Sequence, residues 1–282
     1  MSAAQLTAEE KQFFQENGYL IKKGVYTQYE LDRLSKEYVK IWIELLAEGK
    51  ILQNPEKPLT SLYPNRLRDF HRGNRTITAF MLKTEAISLL ESLIGEEPLA
   101  IQSGYYYKPP GSRGLGFHQD NYHIGVSPGT SYAMWVSMEA TNAENGSLVF
   151  VPGTHQLPLV SSEVVPGSSD AYGSEVLRVP EGYEKIQIET EAGDVVFFNG
   201  NMYHGSTKNR SEHRYRRSFV THFAPARTEK ITLNYGQLVG KDGRRVRRKL
   251  NTEAKIMEME QSVFHYQDAS FYDQIIKGVT DR

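Results

Sequence analysis

Apolar and polar residues change their spacing twice along the chain, and the changes mark three regions. From Thr7 to about residue 50 the apolar positions recur at helical steps. Thr7 followed by Glu10 makes a capping box ahead of Phe13 and Phe14. "NGYLIKKGVY" reads as a turn and a short strand, and "TQYELDRLSKEYVKIWIELLAEGK" as a second helix. Its Leu31, Leu34, Tyr38, Ile41 and Leu45 fall at three- and four-residue steps, and a glycine ends it. Residues 84–95, "TEAISLLESLIG", predict another capped helix with a glycine stop.

In the middle of the chain the apolar segments become short and alternating. Strands are predicted at 99–107, 131–139, 146–151, 185–190, 194–198 and 216–223, punctuated by Gly, Pro, Asn and Asp. That rhythm predicts a sandwich or barrel, mainly β with flanking helices, rather than alternating βαβ units. No Gly-rich phosphate loop follows any strand, which argues against a dinucleotide fold. Beyond about residue 228 the chain is polar and holds "KDGRRVRRKL". An exposed hairpin or loop is favoured there over a phosphate-binding face, because no aromatic residues interleave the 244–249 basic cluster. Residues 1–282 are expected to form one domain: a helical layer over 1–98, a β core over 99–225 and an extension over 226–282.

A chain of 282 residues can bury a sizeable core without disulfides. It has no cysteine, which excludes thiolate-bound zinc and iron–sulfur clusters. The formal net charge of −1 gives no electrostatic case for nucleic acid or an anionic membrane, so the expected partner is a small molecule. The first residues are polar and acidic, without an apolar signal core, and no apolar run approaches the roughly 20 residues of a membrane span. A cytoplasmic location is expected.

"GFHQDNYHIG" concentrates the chemistry. In an extended segment His118 and Asp120 point to one face and Gln119 to the other. Two ligands rarely hold a metal; the third candidate is His204, after a predicted buried strand and the turn "NGN". Two histidines and a carboxylate make the facial triad of non-haem Fe(II) oxygenases, which leaves positions for oxygen and a co-substrate. Twelve residues past His204 comes Arg216, whose planar fork matches a carboxylate. Ser206 offers a hydroxyl to the same group, so 2-oxoglutarate fits as co-substrate.

In these residues the chain resembles the phytanoyl-CoA dioxygenase family of Fe(II)/2-oxoglutarate-dependent oxygenases. The matching motifs are "YKPPG", "FHQDNY", "WVSMEATNAENGSLVFVPGTH", "AGDVVFFNGNMYHGS" and "HRYRRSFVTHF", with "FFQENGYLI" at the start. The resemblance implies a double-stranded β-helix, a cupin-like jelly roll, over 99–225. It implies His118, Asp120 and His204 as iron ligands, with Arg216 and Ser206 on the distal carboxylate of 2-oxoglutarate. It also puts Trp135 beside the co-substrate, makes Gln102 and Tyr106 weaker contact candidates, and sets Arg66 near a basic co-substrate contact of some members. Because Asp120 keeps the carboxylate, hydroxylation or a related oxidation with O2 is implied rather than halogenation. Succinate and CO2 would be released, and the substrate would be a small polar metabolite.

Other readings stay open at this point. An acyl-CoA or lipid hydroxylase would use the basic cluster for phosphates; a metal-binding cupin-like protein would have no need of Arg216; a zinc hydrolase would need a further general base. Strand parity turns His123 away from Asp120 and Arg217 away from Arg216. Arg214 lies near a turn and reads as solvated, His155 as loop packing or chemistry, and His222 as a satisfied core histidine. Alternation puts Tyr106 in the cavity and Tyr105 and Tyr107 against the helical layer.

Overall fold

The computed structural model describes residues 5–51, 66–160, 163–164, 171–172 and 175–252. Its helices are α1 (Ala8–Asn17), α2 (Gln28–Ala47), α3 (Arg75–Met81), α4 (Thr84–Ile94) and α5 (Asp120–Ile124). The strands are β1 (Tyr19–Lys22), β2 (Arg66–Arg68), β3 (Pro98–Lys108), β4 (Gly114–His118), β5 (Tyr132–Ser137) and β6 (Leu148–Phe150). There follow β7 (Glu163–Val164), β8 (Ala171–Tyr172), β9 (Glu175–Val176), β10 (Ile186–Gln187), β11 (Val195–Asn199), β12 (His204–Ser206) and β13 (Arg216–Pro225). Four two-residue strands, β14 (Lys230–Ile231), β15 (Leu238–Val239), β16 (Arg245–Val246) and β17 (Lys249–Leu250), complete the set.

Two sheets organise these strands. The larger runs β1-β11-β5-β13-β3-β15-β16, with β2 also paired to β3, and the smaller runs β10-β6-β12-β4-β8. This is the double-stranded β-helix, and its sheets do not close into a barrel. Alternation divides the larger sheet into two faces. Tyr105, Tyr107, Met134, Val136, Phe197 and Phe219 look outward and are covered by α1–α4. The α2 residue Tyr38 stacks on Tyr105 at 4.3 Å, and the Tyr105 hydroxyl meets Ser35 Oγ at 3.0 Å. On the inner face Trp135, Val196, Phe198 and Val220 pack against Leu148 and Phe150 of the smaller sheet. The even-numbered residues of β3, Gln102, Gly104, Tyr106 and Lys108, share that inner face, aligned with His222, Val220, Ser218 and Arg216 of β13.

Helices α1 and α2 begin on Thr7 and Thr27, each with a complete capping box. The cap read at Thr84 is corrected: Lys83 holds the N-cap position without a side-chain bond, although Gly95 does end α4 in the left-handed region. Helix α3 was not foreseen; Asn74 Oδ1 caps it by accepting from Ile77 N at 3.1 Å. The strand expected at 185–190 is shorter, Ile186–Gln187, and β4 and β12 are additions. Both are short: β12 has no apolar side chain and β4 has only Leu115 and Phe117, too few to announce a strand.

The basic cluster begins on the hairpin β15–β16, whose turn carries Lys241 and Arg244 paired to Glu91 and Glu97 of the helical layer. Residues 253–282 of the expected extension lie outside the described residues. Among the described residues no helix is long and apolar enough to cross a membrane.

Candidate metal centre

The smaller sheet sets the two histidines side by side. His118 closes β4, His204 opens β12, and the two are direct cross-strand partners with ring centroids 4.2 Å apart. Such close approach requires glycine: a Cβ on Gly205 would stand 2.6 Å from the carbonyl oxygen of Leu115. Gln119 is extended, and Asp120 is the first residue of α5. The reading of an extended segment therefore holds only as far as Gln119. His123 is placed by helical geometry rather than strand parity, which corrects the reason given for turning it away.

Gln119 does point away from the ligands. It is buried; its Nε2 donates to the carbonyls of Asn201 (2.8 Å) and Pro158 (3.2 Å), and its Oε1 accepts from Val160 N. The chain crossing from β4 to α5 is thereby fixed to two loops.

The ligand atoms of His118, Asp120 and His204 lie within 4.8 Å of one another. His118 Nε2 is 3.4 Å from Asp120 Oδ1, and His204 Nε2 is 3.5 Å from Asp120 Oδ2. Each imidazole donates Nδ1–H to a backbone carbonyl, His118 to Gly116 and His204 to Met202, both at 2.9 Å. Both Nε2 atoms thus face one carboxylate. Two imidazole nitrogens and a carboxylate oxygen suit a divalent iron, with Nδ1 anchored as ligating histidines require.

Charge agrees with this. Burial opposes ionisation of Asp120, but His222, His204 and His118 around it hold its carboxyl well below the usual carboxylate range. Burial, with His118 beside it, pushes His204 down to about 4. Burial also opposes a charged His118, but the hydrogen bond and charge of Asp120 prevail and raise it.

His222, read as a core histidine, is buried and satisfied, and its partner is the candidate ligand Asp120: His222 Nε2 lies 3.0 Å from Asp120 Oδ2. Gln102 reaches His222 Nδ1 with Nε2 (3.1 Å) and accepts Arg66 Nη2 on Oε1 (3.2 Å). The guanidinium of Arg66 lies 5.1 Å from the Tyr106 ring centroid, on the same inner face.

Arg216 is buried, donates Nη1–H to Ser218 Oγ at 2.8 Å and lies 5.9 Å from the Trp135 ring centroid. Its Nε is buried without a partner. Burial pushes it down to about 10. Its register partner Lys108 is also buried and donates to Ser206 Oγ (3.0 Å) and to the carbonyl of Thr207 (2.6 Å). Burial, then the charge of Arg216, takes Lys108 well below the lysine range. Among the described residues neither cation has a carboxylate partner. Sequence reasoning missed Lys108, although the parity that joins Gln102, Gly104 and Tyr106 continues to it.

The competing residues lie elsewhere. Arg217 is on the outer face, bonded through Nε and Nη2 to Glu139, and Arg214 pairs with Glu144. His155 donates to the Gln15 carbonyl at the end of α1, and His213 is exposed beside Glu212. A groove of about 650 Å³ on the outer face, lined by Ser35, Tyr107, Glu139 and Arg217 among others, contains none of the ligands.

The family model for phytanoyl-CoA dioxygenase matches residues 14–218. The peroxisomal phytanoyl-CoA dioxygenase of Bos taurus is 25% identical over 236 residues, covering 78% of this chain and 69% of its own. A probable phytanoyl-CoA dioxygenase of Caenorhabditis elegans is 27% identical over 242 residues, covering 78% and 75%. The fold is shared with the epimerase SnoN, solved with Fe3+, alpha ketoglutarate and nogalamycin RO, at a TM-score of 0.60 and 21% identity over 78% of this chain and 84% of that one. The family match runs from the second half of α1 into β13, across all three candidate ligands, and the chain belongs to the phytanoyl-CoA dioxygenase family of Fe(II)- and 2-oxoglutarate-dependent oxygenases.

Proposed function

We propose that this oxygenase oxidises an unactivated C–H bond of a small, polar metabolite, with His118, Asp120 and His204 as its iron ligands. The observation that carries the co-substrate half of this reading is the buried pair Arg216 and Lys108. Arg216 and Lys108 both face inward, and among the described residues no carboxylate forms an ion pair with either, so the two basic groups would suit an anion. The distal carboxylate of 2-oxoglutarate supplies it.

Iron, when bound with 2-oxoglutarate and O2, supplies the oxidising power, and the co-substrate leaves as succinate and CO2. The chain's own residues bind and orient. Arg216 presents unbonded N–H groups, including Nε, for a charge-assisted contact with the carboxylate. Ser206 Oγ already accepts from Leu115 N and from Lys108 Nζ, each at 3.0 Å. Both lone pairs are occupied, so its own hydrogen is left to donate. Trp135 supplies the apolar wall beneath Arg216.

Arg66 and Tyr106, with the polar inner edge of β3, favour a polar substrate over a long acyl chain. A second reading, an acyl-CoA hydroxylase, is favoured by the names of the animal relatives. On the hairpin, Lys241 and Arg244 are engaged by Glu91 and Glu97, which leaves less charge for phosphates.

The test has two stages. Anaerobic Fe(II) and 2-oxoglutarate should give the weak visible charge-transfer band of the chelate. Succinate release is then measured across polar metabolites and acyl-CoA thioesters. Stimulation by thioesters alone would replace the polar-substrate reading with the second one.

A further inference from the structure

Arg66, Gln102, His222 and Asp120 form one line of hydrogen bonds across the inner face of the larger sheet, ending on a ligand of the metal centre. The direction of every bond in that line follows from its first member. A guanidinium has donors only. The Gln102 atom 3.2 Å from Arg66 Nη2 must therefore be the acceptor Oε1, which turns Nε2, a donor, to His222. His222 Nδ1, 3.1 Å away, must then accept and carry no proton. The ring hydrogen sits on Nε2 and is donated to Asp120 Oδ2 at 3.0 Å.

We propose that His222 is the positioning residue for Asp120, and that Arg66 acting through Gln102 holds it in the Nε2–H form. The inference rests on the metal-centre reading above. Its consequence is that both carboxylate oxygens are oriented: Oδ2, 3.5 Å from His204 Nε2, is held by His222 at 3.0 Å, and this turns Oδ1 to His118 Nε2 at 3.4 Å. The side chain is buried on all sides: β13 places His222 opposite Gln102 on one flank and Ala133 on the other. Its acceptor and its donor are therefore both committed, and neither ring nitrogen is left to touch substrate. A residue held this way acts on the metal only through Asp120, and the loss of such an outer partner typically weakens metal binding by about 10–100-fold.

Two measurements on metal-free full-length protein test this. The first uses histidine labelled with 15N, with the His222 signals assigned by their loss in His222→Phe. Long-range proton–nitrogen spectra should show His222 as the Nε2–H tautomer. The second titrates Co(II), which absorbs in the visible when held by such ligands, into wild type, His222→Phe and Gln102→Glu. The Gln102→Glu change keeps the side chain's shape but removes the donor facing His222 Nδ1, which breaks the line between Arg66 and Asp120. Both variants should bind Co(II) about tenfold or more weakly than wild type. If His222→Phe does not fold, Gln102→Glu carries the test, with the lost tautomer signal assigning His222.

An Nδ1–H tautomer in wild type would overturn the proposal. So would Co(II) affinities within about twofold of wild type in the folded variants, a result that leaves the metal centre standing. Wild-type protein that takes up no Co(II) would remove the metal centre and this proposal with it.

Discussion

His118 and His204 are direct cross-strand neighbours, each with Nδ1 tied to a carbonyl of its own strand or turn and Nε2 turned to Asp120. The register of the β4–β12 pair sets the two rings side by side. Removing one imidazole leaves two ligands, too few for tight binding. His204→Ala should lower Fe(II) affinity by about 100-fold or more and abolish turnover. Anaerobic titration with 2-oxoglutarate should then show no charge-transfer band.

The same pair makes a steric prediction. An added methyl at Gly205 would stand 2.6 Å from the carbonyl oxygen of Leu115 and 3.2 Å from Gly116 carbonyl atoms, both rigid backbone. In Gly205→Ala, β12 must move off β4, spreading His204 from His118. Stability should fall by about 1–3 kcal/mol, as overpacking does. Metal affinity should fall as well, read by denaturation and Co(II) titration on the same sample. Unchanged affinity would mean that the backbone yields away from the ligands.

Arg216→Ala should separate binding of the co-substrate from binding of the metal. In the proposed role the guanidinium would give the co-substrate a charge-assisted bond worth about 1.5–3 kcal/mol, without touching the metal. The KM for 2-oxoglutarate should rise roughly 10- to 100-fold, while Fe(II) affinity without 2-oxoglutarate stays near wild type. Succinate-release kinetics at varied 2-oxoglutarate decide it. Arg216→Lys should recover little, since a point charge cannot replace the planar fork.

A pH effect on stability arises far from the ligands, at His71. It is buried, with Nδ1 2.7 Å from Ser103 Oγ, and burial pushes it down to about 4. The unfolded chain binds this proton near pH 6.5, and the native state resists it until about pH 4. Between those values the unfolded state holds more protons, so native stability falls as pH falls. This one group contributes up to about 3 kcal/mol across the window. Urea denaturation of metal-free protein from pH 7.5 downward should show a shallower decline in His71→Asn than in wild type.

What could be read in advance was whatever leaves a periodic trace. The apolar stripe of α2, from Leu31 to Leu45, and the long alternating strands β3 and β13 stand where the pattern put them. Alternation also separated Arg216 from Arg217 and Tyr106 from Tyr105. Strand β12 left no such trace, because its side chains are histidine, glycine and serine, and β4 has only Leu115 and Phe117, too short an alternation to stand out. The role of His222 was hidden for a different reason. A buried histidine bonded to a loop and one bonded to a ligand look alike in one dimension; only the register of β13 on β3 and the position of α5 tell them apart. Lys108 was passed over because it was read as part of a motif, and its parity was not carried one step further.

From Gln102 to Lys108 of β3 and from Arg216 to His222 of β13, odd and even residues are held by different neighbours, the helices on one side and the inner face on the other. Each strand therefore carries two messages that can be edited separately. Replacing Tyr106 changes the inner face while Tyr105 and Phe219 go on holding the helical layer in place. A scaffold divided in this way can exchange one substrate for another without relearning how to fold.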